Sequence, residues 1–124
     1  MDIIPWLDSL CPRLQHLLQV EFSKYFEYDL ALAHAATQES IAMMRNGELH
    51  HFFQLESATL AEVIAAVSID DPLHEYDEAA LCKIAKGWRD SPKHHDLLER
   101  HSTIGIGFAY DPELNILYAA ADLR

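Results

Sequence analysis

The chain has 124 residues, half of them hydrophobic, and a formal net charge of −11. That length is one domain's worth and the apolar fraction is enough for one core, so residues 1–124 are read as a single domain. So acidic a chain repels phosphate backbones and anionic headgroups, which argues against nucleic acid as a partner, and no apolar run reaches the ~20 residues of a membrane span.

The first residues, Met1-Asp2-Ile3-Ile4-Pro5-Trp6, have no basic stretch ahead of a long apolar one, so no secretory signal is read and the compartment stays open. Cys11 and Cys82 fall in separate predicted helices and form no Cys-x-x-Cys pair. Two buried thiols are the reading preferred, with one disulfide the alternative for an exported chain.

Residues 1–27 carry Leu14, Leu17, Leu18 and Phe22 at helical spacing, with Asp8 or Ser9 as cap and Pro12 in the first turn. Tyr25, Phe26 and Tyr28 put aromatic bulk on the loop that follows. Asp29 is the expected N-cap of a second helix, and Asn46-Gly47 its stop. The core stripe of that helix, Leu32, Ala33, Ala36, Ser40, Met43 and Met44, is rich in small residues and predicts a close neighbour. His34 lies off the stripe and is read as solvated.

His50, His51, Phe52 and Phe53 come directly after the helix stop. Ser57 caps a further short helix, or else Val63 to Ser68 is a buried strand; a short apolar run has no period that decides. Asp70-Asp71-Pro72 ends that element. From Asp77, Ala80, Leu81, Ile84, Ala85 and Trp88 line one side of another helix, with Asp77 or Glu78 at its positive end. Ser91-Pro92 reads as N-cap and first position of the next helix, which carries His94, Leu97 and Leu98.

Thr103 to Tyr110 and Ile116 to Asp122 read as an antiparallel hairpin around an Asp-Pro-containing turn. Ile104, Ile106 and Phe108 share one face, while Gly105 and Gly107 share the other and predict close approach of a helix or a cavity floor. The order of elements gives an α+β class: an α-β-α sandwich with a small antiparallel sheet, the C-terminal hairpin, flanked by helices.

These blocks resemble a known family. A helix followed by His51, then Ala61-Glu62-Val63-Ile64-Ala65, Trp88-x-x-Ser91-Pro92-x-His94 and Ile104-Gly105-Ile106-Gly107 are similar in order and type to the CAP superfamily, in its bacterial branch. That superfamily includes cysteine-rich secretory proteins, antigen 5 and plant pathogenesis-related proteins. The resemblance spans roughly residues 29–121. Ala61 and Val63 stand where the family has Gly and Asn around its glutamate, Lys93 where it has Gly, and Ser91 where eukaryotic members have a second glutamate. The resemblance implies a cleft and a groove linked to lipid, peptide and protein partners, in a family whose members are mostly exported.

The family's site residues carry over to His51, Glu62 and His94. Two neutral imidazoles and a carboxylate suit a divalent metal, Zn²⁺ foremost, with water in the fourth place. Glu62 is read either as a ligand or as the group behind a ligating histidine. Without metal, the same residues are polar groups of a cleft, hydrogen-bonded to one another and to water. Ser91, His50, His95 and Trp88 complete the expected cleft, and His50 and His95, each one residue away, are alternates for His51 and His94. His16, His74 and His101 are read as surface residues. Tyr25, Phe26, Tyr28, Phe52 and Phe53 are candidates to line an apolar groove, although core packing is their commoner fate.

A Ser91–His94 nucleophile pair is set aside, because a serine at an N-cap spends its oxygen on backbone N–H groups and no Gly-x-Ser-x-Gly elbow is present. The expected function is a CAP-like binding domain for a divalent metal and a small apolar or peptide ligand, rather than an enzyme. The alternatives are a peptidase-like hydrolase with Glu62 as general base on a metal-bound water, and a scaffold or protein-interaction module without a working site. The ligand and the oligomeric state are not fixed by these residues.

Overall fold

A computed structural model describes residues 3–53, 59–69 and 77–124. In chain order the elements are α1 (Ile3–Phe22), β1 (Glu27–Tyr28), α2 (Leu30–Asn46), β2 (Ala61–Ser68), α3 (Asp77–Asp90), α4 (Pro92–Arg100), β3 (Thr103–Asp111) and β4 (Ile116–Leu123). The expected Ser57 cap, the Asp70-Asp71-Pro72 break and His74 lie outside the described residues. Among the described residues no helix is long and apolar enough to cross a membrane.

The strands form one sheet in the order β1-β3-β4-β2. The expected hairpin is its centre, with Ile104 opposite Leu123 and Asp111 opposite Ile116. Two strands extend it. Val63 to Ser68 belongs to β2, antiparallel to β4, so the strand reading of that run holds. The two-residue β1 pairs parallel with Thr103 and Ile104, which makes the sheet mixed rather than wholly antiparallel.

Two layers of helix cover the sheet. On one face, Leu10, Leu14, Leu18, Leu81, Ile84, Trp88 and Leu98 from α1, α3 and α4 pack with Ile104, Ile106, Leu117 and Leu123. On the other face α2 lies alone, with Ala36 and Met43 against Ile64, Tyr118 and Ala120. This is the α-β-α sandwich expected from the order of elements.

The height of α2 is set by the two glycines of β3. A Cβ on Gly105 would sit 2.0 Å from the Ala33 nitrogen, and one on Gly107 2.2 Å from the Thr37 nitrogen. Backbone therefore touches backbone, and Ser40 Oγ donates to the Gly107 carbonyl at 2.9 Å. The ends of α2 follow the sequence. Asp29 accepts the Leu32 N–H at 3.0 Å, and Gly47 closes the helix at φ 64°.

Helix α1 starts by Ile3, so Pro12 lies inside it rather than in the first turn expected of it. Proline removes the N–H that would bond the Asp8 carbonyl, but Asp8 and Pro12 are both exposed, so water can take that carbonyl. Breaking the helix there would cost far more, because Leu10, Leu14 and Leu18 are fully buried along it.

Helix α4 is held at its C-terminal end by Lys24. Its ammonium donates to the carbonyls of Leu98, Glu99 and His101 at 3.1, 3.0 and 2.8 Å. A cation at the negative end of a helix satisfies carbonyls that have no partner within it. Cys11 and Cys82 are free thiols, each half-buried.

The glycine contacts give a test with two signs. Gly105→Ala is expected to cost about 3 kcal/mol, because its methyl meets backbone that cannot step aside. Gly87→Ala, in the exposed interior of α3 with open space at its Cβ, is expected to gain about 0.5–1 kcal/mol from helix propensity. Urea unfolding of both variants checks the pair.

Candidate functional site

Three elements meet at the outer end of the sheet, where β2 forms the edge. The loop after α2 brings His51, β2 brings Glu62, and the start of α4 brings His94. His51 Nδ1 lies 2.6 Å from Glu62 Oε1. The imidazole is half-exposed, while the Glu62 side chain is buried. His94 Nδ1 lies 2.9 Å from Ser91 Oγ. The two rings are near enough for the charge of His51 to act on His94.

Ser91 occupies the N-cap of α4, as expected, with extended backbone at φ −87°. Its side chain does not cap. The hydroxyl expected on backbone N–H groups is instead on His94, while the Ser91 carbonyl accepts the His95 N–H at 2.8 Å. The expectation that capping would keep Ser91 off His94 is therefore corrected: the two side chains touch.

The other expected cleft residues are dispersed. Trp88 is buried, and its indole N–H donates to the Ile64 carbonyl of β2 at 3.0 Å, which ties α3 to that strand. His50 turns its ring edge-on to Phe52, with centroids 5.0 Å apart. His95 packs on Phe22, with centroids 5.1 Å apart. His16 and His34 are exposed and His101 is half-buried. The aromatic set does not form one groove: Phe26 is core, Tyr25 is 74% exposed, and only Phe53 borders the cleft. That cleft is a hollow of about 310 Å³ lined by His51, Phe53, Leu60, Ala61, Glu62 and Leu97; His94 is not part of its wall and stands near it through its nearness to His51.

Two residues were missed in the sequence. Glu39 of α2 is 1% exposed, and its carboxylate accepts the backbone N–H of Phe52 and, at 3.2 Å, of Phe53. It holds the loop that presents His51. Asp122 of β4 is 2% exposed, stands opposite Glu62 in the ladder, and hydrogen-bonds to it. Both left a trace. Glu39 falls on the helical repeat of Leu32, Ala36 and Met43, and Asp122 is a charge inside the apolar run from Leu117 to Leu123.

Behind the wall of the hollow, Glu62 thus stands in a buried cluster of three carboxyl groups with Asp122 and Glu39. Burial raises the pKa of Glu62, a hydrogen bond from Asp122 offsets part of that, and the charge of Glu39 adds to it. Burial, the hydrogen bond to Glu62 and the charges of Glu62 and Glu39 push Asp122 far above the usual carboxylate range. Burial, His51 and Lys93 hold His94 below the ordinary imidazole value. His94 is therefore neutral at pH 7, as a base or a metal ligand must be. Among the described residues no three His, Cys, Asp or Glu side chains stand together at metal-holding distances.

The depressed His94 has a sign that can be checked. A lowered folded value means that protonation works against the fold. This stabilising contribution is present above pH 6.5 and is lost as pH falls through the folded value. An NMR titration should place His94 below 6.5. Lys93→Gln, which removes a neighbouring positive charge, should raise that midpoint.

No family model matches the chain, and no curated protein matches it in sequence. Solved structures do match in shape. An outer surface protein from Borrelia burgdorferi superposes with a TM-score of 0.64 at 15% identity, over 100% of this chain and 96% of that one. BmVAL-1, a venom allergen-like protein of the CAP type, superposes with a TM-score of 0.62 at 10% identity, over 95% of this chain and 75% of that one. At such identities the likeness is one of architecture, and the architecture agrees with the family read from His51 to Gly107: this chain has the CAP fold.

Proposed function

We propose that a divalent metal ion, zinc foremost, binds at the mouth of the cleft through Nε2 of His51 and Nε2 of the neighbouring His94, with solvent or a ligand in the remaining positions. The observation that carries this reading is that both Nδ1 atoms are engaged from behind, by Glu62 and by Ser91. An imidazole whose Nδ1–H is held by a carboxylate or hydroxyl offers its Nε2 lone pair, and the carboxylate raises its basicity. The donor set fits a borderline metal that accepts nitrogen ligands. With only two protein ligands the site is open, which suits binding of a further group better than a closed structural centre.

Phe53, Leu60 and Leu97 border the same hollow, and Phe53 and Leu60 are 55% and 61% exposed. Beside the imidazoles they suit the apolar part of a small molecule or peptide side chain. Binding is favoured over hydrolysis by the state of Glu62. Its Oε1 is on His51 and its side chain is buried, so it is not placed to take a proton from water in the cleft.

Calorimetric titration with zinc at about pH 7.5 tests the reading. One ion per chain is expected, and the His51→Ala/His94→Ala double variant should lose at least about tenfold in affinity. No heat from the unaltered protein, or the same heat from the double variant, rules the metal out.

A further inference from the structure

We propose that Asp122 is a positioning residue of the cleft, the inner end of a hydrogen-bonded row Asp122–Glu62–His51 that fixes which nitrogen of His51 faces outward. The proposal rests on the reading of His51 as a binding imidazole, but its own observable belongs to the protein without metal.

The row follows from placement. Asp122 on β4 lies opposite Glu62 on β2 and, across the other side of β4, opposite Gly105 on β3. The bare Gly105 lets the α2 backbone down onto the sheet, so the space over Asp122 is closed, and its carboxyl is 2% exposed. The groups of charge that face it are Glu39 from α2, Glu62 from β2 and His51 from the loop after α2; β3 contributes only Gly105.

A count of donors says where the proton goes. Glu39 accepts two backbone N–H bonds, which suits an ionised carboxylate. Glu62 has the Nδ1 of His51 at one oxygen. Among the described residues Asp122 has no cation and no N–H, and its Oδ1 has no hydrogen-bond partner. Three buried carboxyl groups side by side cannot all ionise, and the one without donors is the costliest to charge. A hydrogen bond between two carboxyl groups contains a proton. It therefore resides on Asp122 and is donated to Glu62.

Glu62 is then an anion with Asp122 O–H on one side and His51 Nδ1–H on the other. That arrangement selects one tautomer of the neutral imidazole, with Nδ1 protonated and the Nε2 lone pair free for the cleft. Without the inner donor, Glu62 itself is the buried carboxyl that takes up a proton. A protonated Glu62 no longer demands Nδ1–H, and the two tautomers of His51 mix.

Nitrogen-15 NMR of the histidines in metal-free protein tests this with Asp122→Asn and Asp122→Leu. The asparagine amide can donate to Glu62 as the protonated carboxyl does; leucine has similar bulk and no donor. The unaltered protein and D122N are expected to show His51 as the Nδ1–H tautomer, and D122L a mixture of the two. A His51 spectrum unchanged in D122L, or altered in D122N as in D122L, overturns the proposal. Asp122→Ala, which also removes the donor, gives the same reading of the His51 tautomer if D122L does not fold. Zinc titration of the same samples separates the two readings: absence of binding with the tautomer pattern intact removes the metal and leaves the row, whereas binding that weakens about tenfold in D122L supports both.

Discussion

The contact of the α2 backbone with Gly105 and Gly107 is the constraint on which the rest of this molecule depends. Helices ordinarily stand off a sheet by the length of their side chains. Here one turn of α2 rests on bare strand, and the helix is drawn in by the size of a methyl group at two successive turns. Its next inward residues, Glu39 and Ser40, are thereby delivered to the sheet with almost no exposure. A glutamate so placed must find donors, and it finds them in the backbone of Phe52 and Phe53. The glycines on β3 thus fix, through α2, the loop that carries His51.

The second governing term is charge. Among the described residues most acidic side chains reach solvent, but Glu39, Glu62 and Asp122 are buried as neighbours. Burial of an acid is tolerated when donors or a shared proton replace water. Each of the three uses a different device: backbone amides, an imidazole, and a proton shared with a neighbour. Next to His51, His94 is held below the ordinary imidazole value by burial and by its neighbours, Lys93 among them. The two histidines sit in unlike surroundings, one on a carboxylate and one on a hydroxyl, and are not interchangeable.

Much of the fold was legible in the chain because local chemistry and packing agreed. Asp29 capped, Gly47 stopped a helix, Trp88 fell on the core side of α3, and Gly105 and Gly107 marked a close approach. The parts that were not legible depended on partners distant in sequence. Strand β1 is two residues long and exists by pairing with β3. The run from Val63 is a strand because β4 lies beside it. Pro12 is tolerated within α1 because its lost bond faces water. At the site, the pairing of His51 with Glu62 was in reach of the motif order. The role of Ser91 was misread, since capping is the habit of a serine there and the nearby imidazole competed for it. Asp122 was passed over because a single acid at the end of an apolar strand looks like the strand's exit into solvent.

The indole of Trp88 has a meaning beyond tying α3 in place. Strand β2 is the last in the sheet, and such a margin invites another chain to add itself. By seating a bulky ring against that margin and occupying the Ile64 carbonyl, α3 acts as a fender. A docking strand would first have to dislodge a buried tryptophan. The hollow beside it can therefore stay accessible to small visitors without offering a template for aggregation.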